Sequence, residues 1–262
     1  MHTDAQSYER FMGRWSRLVA PLLVDFADIP ESGWILDVGS GTGSLAFTIA
    51  ERKSQCYVMA VDLSNPYIAD ANSRNPFPNR ASFQSGDTQQ LPFPDATFDA
   101  SLSLLAFNFI PDPARALREV SRVTKPRGRV SAAVWDYGAG MRMLRAFWDA
   151  AANVDASAKN LDEKHMPLCR AGELSELWKR SGLENVHEQP LDITMQFESF
   201  ADYWEPFLLG QGPAGAYLQT IDVDRLQVLS GELKRRLALS EDAPFTLPAR
   251  AWAVRGTVPD RS

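Results

Sequence analysis

Ile35-Leu36-Asp37-Val38-Gly39-Ser40-Gly41-Thr42-Gly43-Ser44 is the stretch that decides the fold of this chain. A short apolar run from Trp34 to Val38 meets glycines at 39, 41 and 43, and Leu45, Ala46, Ile49 and Ala50 then recur at helical spacing. The order is strand, glycine turn, helix. Outward from it, Tyr57 to Val61 is a second β-rich run that stops at Asp62, and Ser64 with Pro66 signals the start of a helix to about Arg74. Ala81 to Ser85 reads as a third strand closed by Gly86-Asp87, and Phe98 to Leu105 as a fourth. Asp112-Pro113 opens a helix through Val123, Lys125 to Gly128 reads as a turn, and Val130 to Trp135 as a fifth strand. Strands alternating with helices imply parallel strands joined by crossovers. The expected fold is a doubly wound α/β sheet with its ligand at the carboxyl ends of the strands.

Beyond Tyr137 the pattern changes. Helical stretches near 141–153 and 171–181 precede a strand-like run from Leu183 to Phe197, aromatic-rich helical sequence fills 200–239, and a last strand spans Ala249 to Val258. A connection this long is expected to be a lid or a binding element. One domain is therefore expected over 1–262. Its parts are an N-terminal helical cover (1–30), a ligand-binding half (31–137), cover or lid segments (138–182 and 197–247), and the last strands (183–196 and 248–258).

The chain has 262 residues, 45% of them hydrophobic, and 27 Lys and Arg against 33 Asp and Glu. Composition places it among soluble globular proteins, and a net charge of −6 gives no general attraction to nucleic acid or anionic lipid. Neither partner is expected; the chain reads as a monomer or homodimer. Cys56 and Cys169 belong to no CxxC or Cys/His cluster, so neither a metal site nor a disulfide scaffold is expected. Met1 to Gln6 shows no basic leader followed by an apolar stretch, and a cytoplasmic location is expected.

The glycines allow a ligand to approach the backbone, and Thr42 to Ser44 present N–H groups at a helix start. The turn lacks the Lys and Ser/Thr of a triphosphate loop. Asp62, about twenty residues on, suits the two hydroxyls of a ribose. Asp87 beside Thr88 suits an exocyclic amine, and Leu63 offers an apolar face to a purine, so an adenosine without phosphates fits. Taken singly, each aspartate serves equally as a strand-end turn or helix-cap residue.

These residues resemble the class I S-adenosylmethionine-dependent methyltransferases, in the branch with ubiquinone and menaquinone C-methyltransferases. The resemblance spans Ile35–Gly43, Val61-Asp62-Leu63-Ser64, Gly86-Asp87 with Leu91-Pro92-Phe93, Phe98-Asp99-Ala100, and Arg118-Glu119-Val120 through Arg122–Gly128. It covers roughly residues 30–137. Arg127 departs from it, standing where the family's turn usually has Gly. The resemblance implies a mostly parallel, seven-stranded Rossmann-like sheet with helices on both faces and a helical substrate-covering insertion. S-adenosyl-L-methionine is the implied cofactor. Gly39 and Gly41 would lie along its methionyl and ribose portions, with Ser40 among the contacts. Asp62 would hold the ribose, Asp87 and Thr88 would flank the adenine beside Leu63, and Asp37 would reach the methionyl ammonium. Ser103 and Leu104 would touch the cofactor, with Phe107, Asn108 and Phe109 close behind on the substrate side.

Tyr8, Arg14 and Trp15 are placed to close over the cofactor, Arg14 pairing with its carboxylate. An amphipathic helix packed by Phe11, Trp15 and Leu18 accounts for the same segment. Tyr203, Trp204 and Phe207 either line a substrate pocket or pack a helical core. Methyl transfer is an in-line displacement that needs a base only when the acceptor must lose a proton. His165 is the weak candidate for such a base. The Asp/Asn-Pro-Pro-aromatic pattern of amino-methylating nucleic-acid enzymes is absent after strand four, which favours a small-molecule acceptor. The alternatives are an NAD(P)-dependent oxidoreductase, which Ser44 disfavours, and a cofactor-binding sensor or scaffold without turnover.

Overall fold

The computed structural model describes residues 5–239 and 243–260. Residues 1–4 of the expected N-terminal cover, 240–242 of the expected lid, and 261–262 lie outside the described residues. Seven strands form one sheet: β1 (Ser32–Val38), β2 (Gln55–Asp62), β3 (Ala81–Ser85), β4 (Phe98–Leu104), β5 (Thr124–Trp135), β6 (Glu184–Phe197) and β7 (Phe245–Thr257). Their order is β3-β2-β1-β4-β5-β7-β6, with β3 through β5 parallel and β7 antiparallel to both β5 and β6. The strand order reverses at β1, which has β2 on one side and β4 on the other. A crevice opens beyond the carboxyl ends of strands at such a reversal.

The helices are α1 (Ala5–Tyr8), α2 (Arg14–Ala27), α3 (Ser44–Arg52), α4 (Asn65–Arg74), α5 (Pro113–Val123), α6 (Arg142–Val154), α7 (Glu173–Arg180), α8 (Phe200–Leu208), α9 (Gly212–Leu218) and α10 (Val223–Arg236). The expected caps form. Ser64 Oγ accepts the Tyr67 N–H at 3.4 Å and Asp112 Oδ1 the Arg115 N–H at 2.9 Å, each beside a first-turn proline. The α5 face Ala116, Leu117, Val120 and Val123 is buried, while its polar side staples the loop before β4. Glu119 Oε2 accepts the Leu91 N–H at 2.9 Å, and Arg122 donates to the carbonyls of Leu91 and Phe93 at 3.0 and 2.8 Å.

The expected turn at 125–128 is instead part of β5, which begins at Thr124. The chain bends there through Arg127, whose φ of 65° is left-handed, and its N–H donates to the Val258 carbonyl at 2.8 Å. Gly128 follows because a Cβ would come within 2.8 Å of the Asp99 carbonyl oxygen. The Arg127 side chain only meets exposed Asp260, a contact of small value in water. Arg127→Gly relieves the backbone strain, and thermal denaturation is expected to show a midpoint raised by about 2–4 °C.

Candidate active site

The glycine turn is clamped by the end of β2. Gly39 and Ser40 both donate N–H to the Val61 carbonyl at 2.9 Å, Gly41 N–H donates to Asp62 Oδ2 at 2.8 Å, and Ser64 N–H to Asp62 Oδ1 at 2.8 Å. Gly39 has φ 69°, and a Cβ there would lie 2.4 Å from the Ala106 Cβ. Gly41 has φ 54°, yet a Cβ would meet no protein atom within 4 Å, because the turn opens onto empty space. Burial pushes the half-buried Asp62 carboxyl up against the lowering effect of its two backbone donors. Each of its oxygens retains a lone pair for a further hydroxyl donor.

That space is a cavity of about 410 Å³ between the strand ends and the helical cover. Its floor is Gly39, Gly41, Asp62 and Leu104 to Ala106; Tyr8, Phe11, Met12 and Tyr67 form one side, and Gly210 to Pro213 another. Phe109, Trp135, Tyr137, Leu144 and Glu163 complete it. Larger hollows elsewhere, such as the one of about 620 Å³ between Asn153 and Arg235, are open surface grooves away from the strand ends. Leu105, on the floor, holds a left-handed φ of 60°, a strain tolerated where surrounding structure over-determines the backbone.

A π-helical turn, Glu9–Gly13, joins α1 to α2. Such a turn re-aims side chains, and here it carries the lining residues Phe11 and Met12. Glu9 holds it to the glycine turn: Oε1 accepts from Thr42 Oγ1, and Oε2 pairs with Arg17. Arg74 adds a bond to the Thr42 carbonyl at 3.1 Å. The N-terminal helix is thereby latched beside the cavity.

Two carboxyl groups are held in their protonatable range. Asp37 is fully buried beneath the turn; burial pushes it up to about 8, the Ala46 N–H lowers it without completing a hydrogen bond, and Asp62 raises it further. Ser40 Oγ and Ser103 Oγ are likewise buried without a partner among the described residues. Glu163 is 6% exposed. Its Oε2 accepts the Trp148 Nε1–H at 2.8 Å, and burial outweighs that bond and the Arg145 charge to push it up to about 7. Arg145 pairs with Asp162 in a contact buried on both sides. Burial pushes the Tyr137 hydroxyl well up, and the Glu163 charge adds to this.

Of the residues expected from sequence, the structure gathers Tyr8, Gly39, Gly41, Asp62, Leu104 and Phe109 around the cavity. Asp37, Ser40 and Ser103 lie buried beside it. Asp87 caps a 3-10 turn by accepting the Gln89 N–H at 2.8 Å, Thr88 is buried, and Leu63 is 67% exposed; none of these lines the cavity.

Arg14 is committed elsewhere. Its Nη1 bonds Asp202 at 2.7 Å and its guanidinium lies 4.2 Å over the Trp15 ring, so it ties α2 to α8 in place of a ligand carboxylate. Trp15 packs on Phe197. Phe107 packs on Trp178, and Asn108 Nδ2 meets Met166 Sδ at 3.6 Å. Tyr203 and Phe207 are pillars of the cover's core: Tyr203 Oη donates to the Met143 carbonyl at 2.9 Å, and Phe207 stacks on Phe147 at 4.7 Å. Trp204 lies over Phe200. His165 is exposed beside Arg170 and does not line the cavity. Sequence reasoning missed Tyr67, Trp135, Tyr137, Leu144 and Glu163, and took Phe11 for packing alone, whereas Gly210 to Pro213 fall within the segment expected as a lid.

The family described as methyltransferase domain matches residues 36–132. A demethylmenaquinone methyltransferase of Paenarthrobacter aurescens is 35% identical over 45% of this chain and 43% of its own length. A malonyl-[acyl-carrier protein] O-methyltransferase of Erwinia billingiae is 36% identical over 48% of each. The chain spans about half the length of these curated relatives. Among solved structures, the YcgJ protein of a Bacillus superposes with a TM-score of 0.60 at 18% identity, over 93% of this chain and 99% of that one. A phosphoethanolamine N-methyltransferase 2 of Haemonchus contortus, in complex with S-adenosyl-L-methionine, gives 0.60 at 17% identity over 98% and 57%. These two likenesses concern the fold. The methyltransferase-domain match lies over β1 to β5, and across that span the chain is similar to S-adenosylmethionine-dependent methyltransferases of class I.

Proposed function

We propose that this protein transfers a methyl group from S-adenosyl-L-methionine to a small-molecule acceptor. The observation that carries the reading is Asp62: it braces the glycine turn through the Gly41 N–H and still presents free lone pairs on the cavity floor. Those lone pairs suit a ribose diol. The open side of Gly41 leaves room for a ligand against the backbone, and the unpartnered Asp37 carboxyl beneath suits an ammonium reached through water. Asp87, Thr88 and Leu63 lie at the ends of β3 and β2, where an adenine would extend from the ribose. When bound, the cofactor supplies an electrophilic methyl on a sulfonium. The chain's own part is alignment and exclusion of water by Phe11, Met12 and the Gly210 to Pro213 segment.

No observation favours a nicotinamide cofactor, and Ser44 stands where a dinucleotide turn needs Gly or Ala. Among the described residues no helix is long and apolar enough to cross a membrane. Cys56 and Cys169 are free and buried, which suits the reducing cytoplasm.

A thermal-shift assay tests this reading. S-adenosylmethionine and its demethylated product, each at about a hundred times its dissociation constant, are expected to add about 2.7 kcal/mol of stability, and NAD none. A shift with NAD alone overturns it.

A further inference from the structure

Glu163 is a buried carboxylate in the cavity that the methyltransferase reading leaves without a task. Trp148 Nε1–H holds its Oε2, while no protein donor to the other oxygen is found among the described residues. The preceding residue, Asp162, is fixed by Arg145, and the Asp162 carboxylate also caps the 3-10 turn Glu163–His165 through the Lys164 N–H at 2.9 Å. The carboxylate is thus placed by a buried frame. The cavity it lines also has Phe11, Phe109, Trp135, Tyr137 and Leu144 among its walls.

Among the described lining residues there is no Lys, Arg or His. A carboxylate or phosphate on the acceptor would enter an aromatic space already holding Asp62 and Glu163, with no cation to meet it. An alkylammonium would be held charged by Glu163, its lone pair withdrawn. A neutral phenol meets neither obstacle: its ring suits the aromatic walls and its O–H needs an acceptor.

Resting on the methyltransferase reading, we propose that Glu163 is the catalytic base for a neutral aromatic acceptor that carries a phenol-class hydroxyl and is methylated on oxygen. The phenolic proton passes to the Glu163 carboxylate as the oxygen forms its bond to the methyl carbon. The carbon–sulfur bond breaks with its electron pair remaining on sulfur. The products are a methyl ether, the neutral thioether and protonated Glu163, which returns its proton to water. A carboxyl near neutrality suits this exchange. Tyr137, held protonated, can donate to the same oxygen. The other titratable groups around Glu163 are Arg145 on α6, Asp162, Lys164 and the exposed His165 in its own turn, and Cys169.

The test uses 4-nitrophenol, whose anion is yellow and whose neutral form is not, with the full chain saturated in the demethylated cofactor near pH 8. Beside a carboxylate acceptor the bound probe is expected to stay neutral, so that wild-type protein bleaches the yellow colour. Glu163→Gln keeps an acceptor for Trp148 but removes the charge. It should bind the yellow anion at least tenfold more tightly, with cofactor affinity changed less than twofold. A wild-type protein that binds no probe, or binds it yellow, overturns the proposal whether or not the variant folds. A variant that bleaches like wild type overturns it as well. A variant tenfold weaker for the cofactor also overturns it, by assigning Glu163 to the cofactor. If the wild type binds no demethylated cofactor, the methyltransferase reading itself fails.

Discussion

Asp62→Ala is expected to weaken S-adenosylmethionine binding by more than tenfold. The substitution removes two hydrogen bonds from a ribose diol to a charged acceptor, each contributing about 1.5–3 kcal/mol. It also frees the N–H groups of Gly41 and Ser64, which now end on the two carboxylate oxygens, so part of the loss comes through a looser turn. Asp62→Asn separates the contributions. The amide retains one oxygen for a backbone donor and loses the charge, and calorimetry should find it intermediate between wild type and alanine. An unchanged affinity in Asp62→Ala would remove Asp62 from the ribose and leave it a turn residue only.

Arg145→Met is expected to cost about 3 kcal/mol of folding stability at neutral pH. The side chain keeps its volume on α6, but Asp162 is left buried with Lys164 at 3.5 Å as its nearest cation. The sign of the pH dependence follows from Asp162. Burial alone would raise its carboxyl, yet the Arg145 bond holds it below the usual carboxylate range in the wild type. The stabilisation from the pair is therefore present above the ordinary aspartate range and lost as pH falls through the depressed folded value. Without Arg145, burial dominates and the folded pKa rises, so the variant loses most at neutral pH. Denaturant titrations at neutral and acidic pH should show the gap between variant and wild type closing as pH falls. A gap independent of pH would mean that the pair contributes packing alone. Because Asp162 caps the turn that carries Glu163, the same variant should also blunt the spectral response of bound 4-nitrophenol.

The parts of this molecule that could be read in advance are those specified locally. The strand, glycine turn and helix over residues 34–52, and the caps at Ser64 and Asp112, depend on neighbours a few residues away. Arg14 was not legible because its partner, Asp202, lies 188 residues further along. A cation on a cover helix reads as a ligand anchor until the packing partner is known. Tyr203 and Phe207 fit a pocket or a core equally well by sequence; the bond from Tyr203 to the Met143 carbonyl and the stacking of Phe207 on Phe147, both on α6, decide for the core.

Glu163 was hidden for a different reason. Asp162-Glu163-Lys164-His165 looks like a solvated charge run, in which histidine draws attention as the residue that titrates near neutrality. Burial reverses the ranking. The indole of Trp148 and the guanidinium of Arg145, one helix earlier, draw the two acids inward and leave His165 outside. Arg127 was legible as a departure from the family's pattern but not as strain, since only its φ shows why glycine suits that position.

The most direct measurement of the central claim is a calorimetric titration of the purified chain, cleared of copurified ligand, with S-adenosylmethionine, its demethylated product and NAD. Binding of the first two at one site, weakened together by Asp62→Ala, with no heat from NAD, is the predicted result. Binding of NAD without the other two would contradict it.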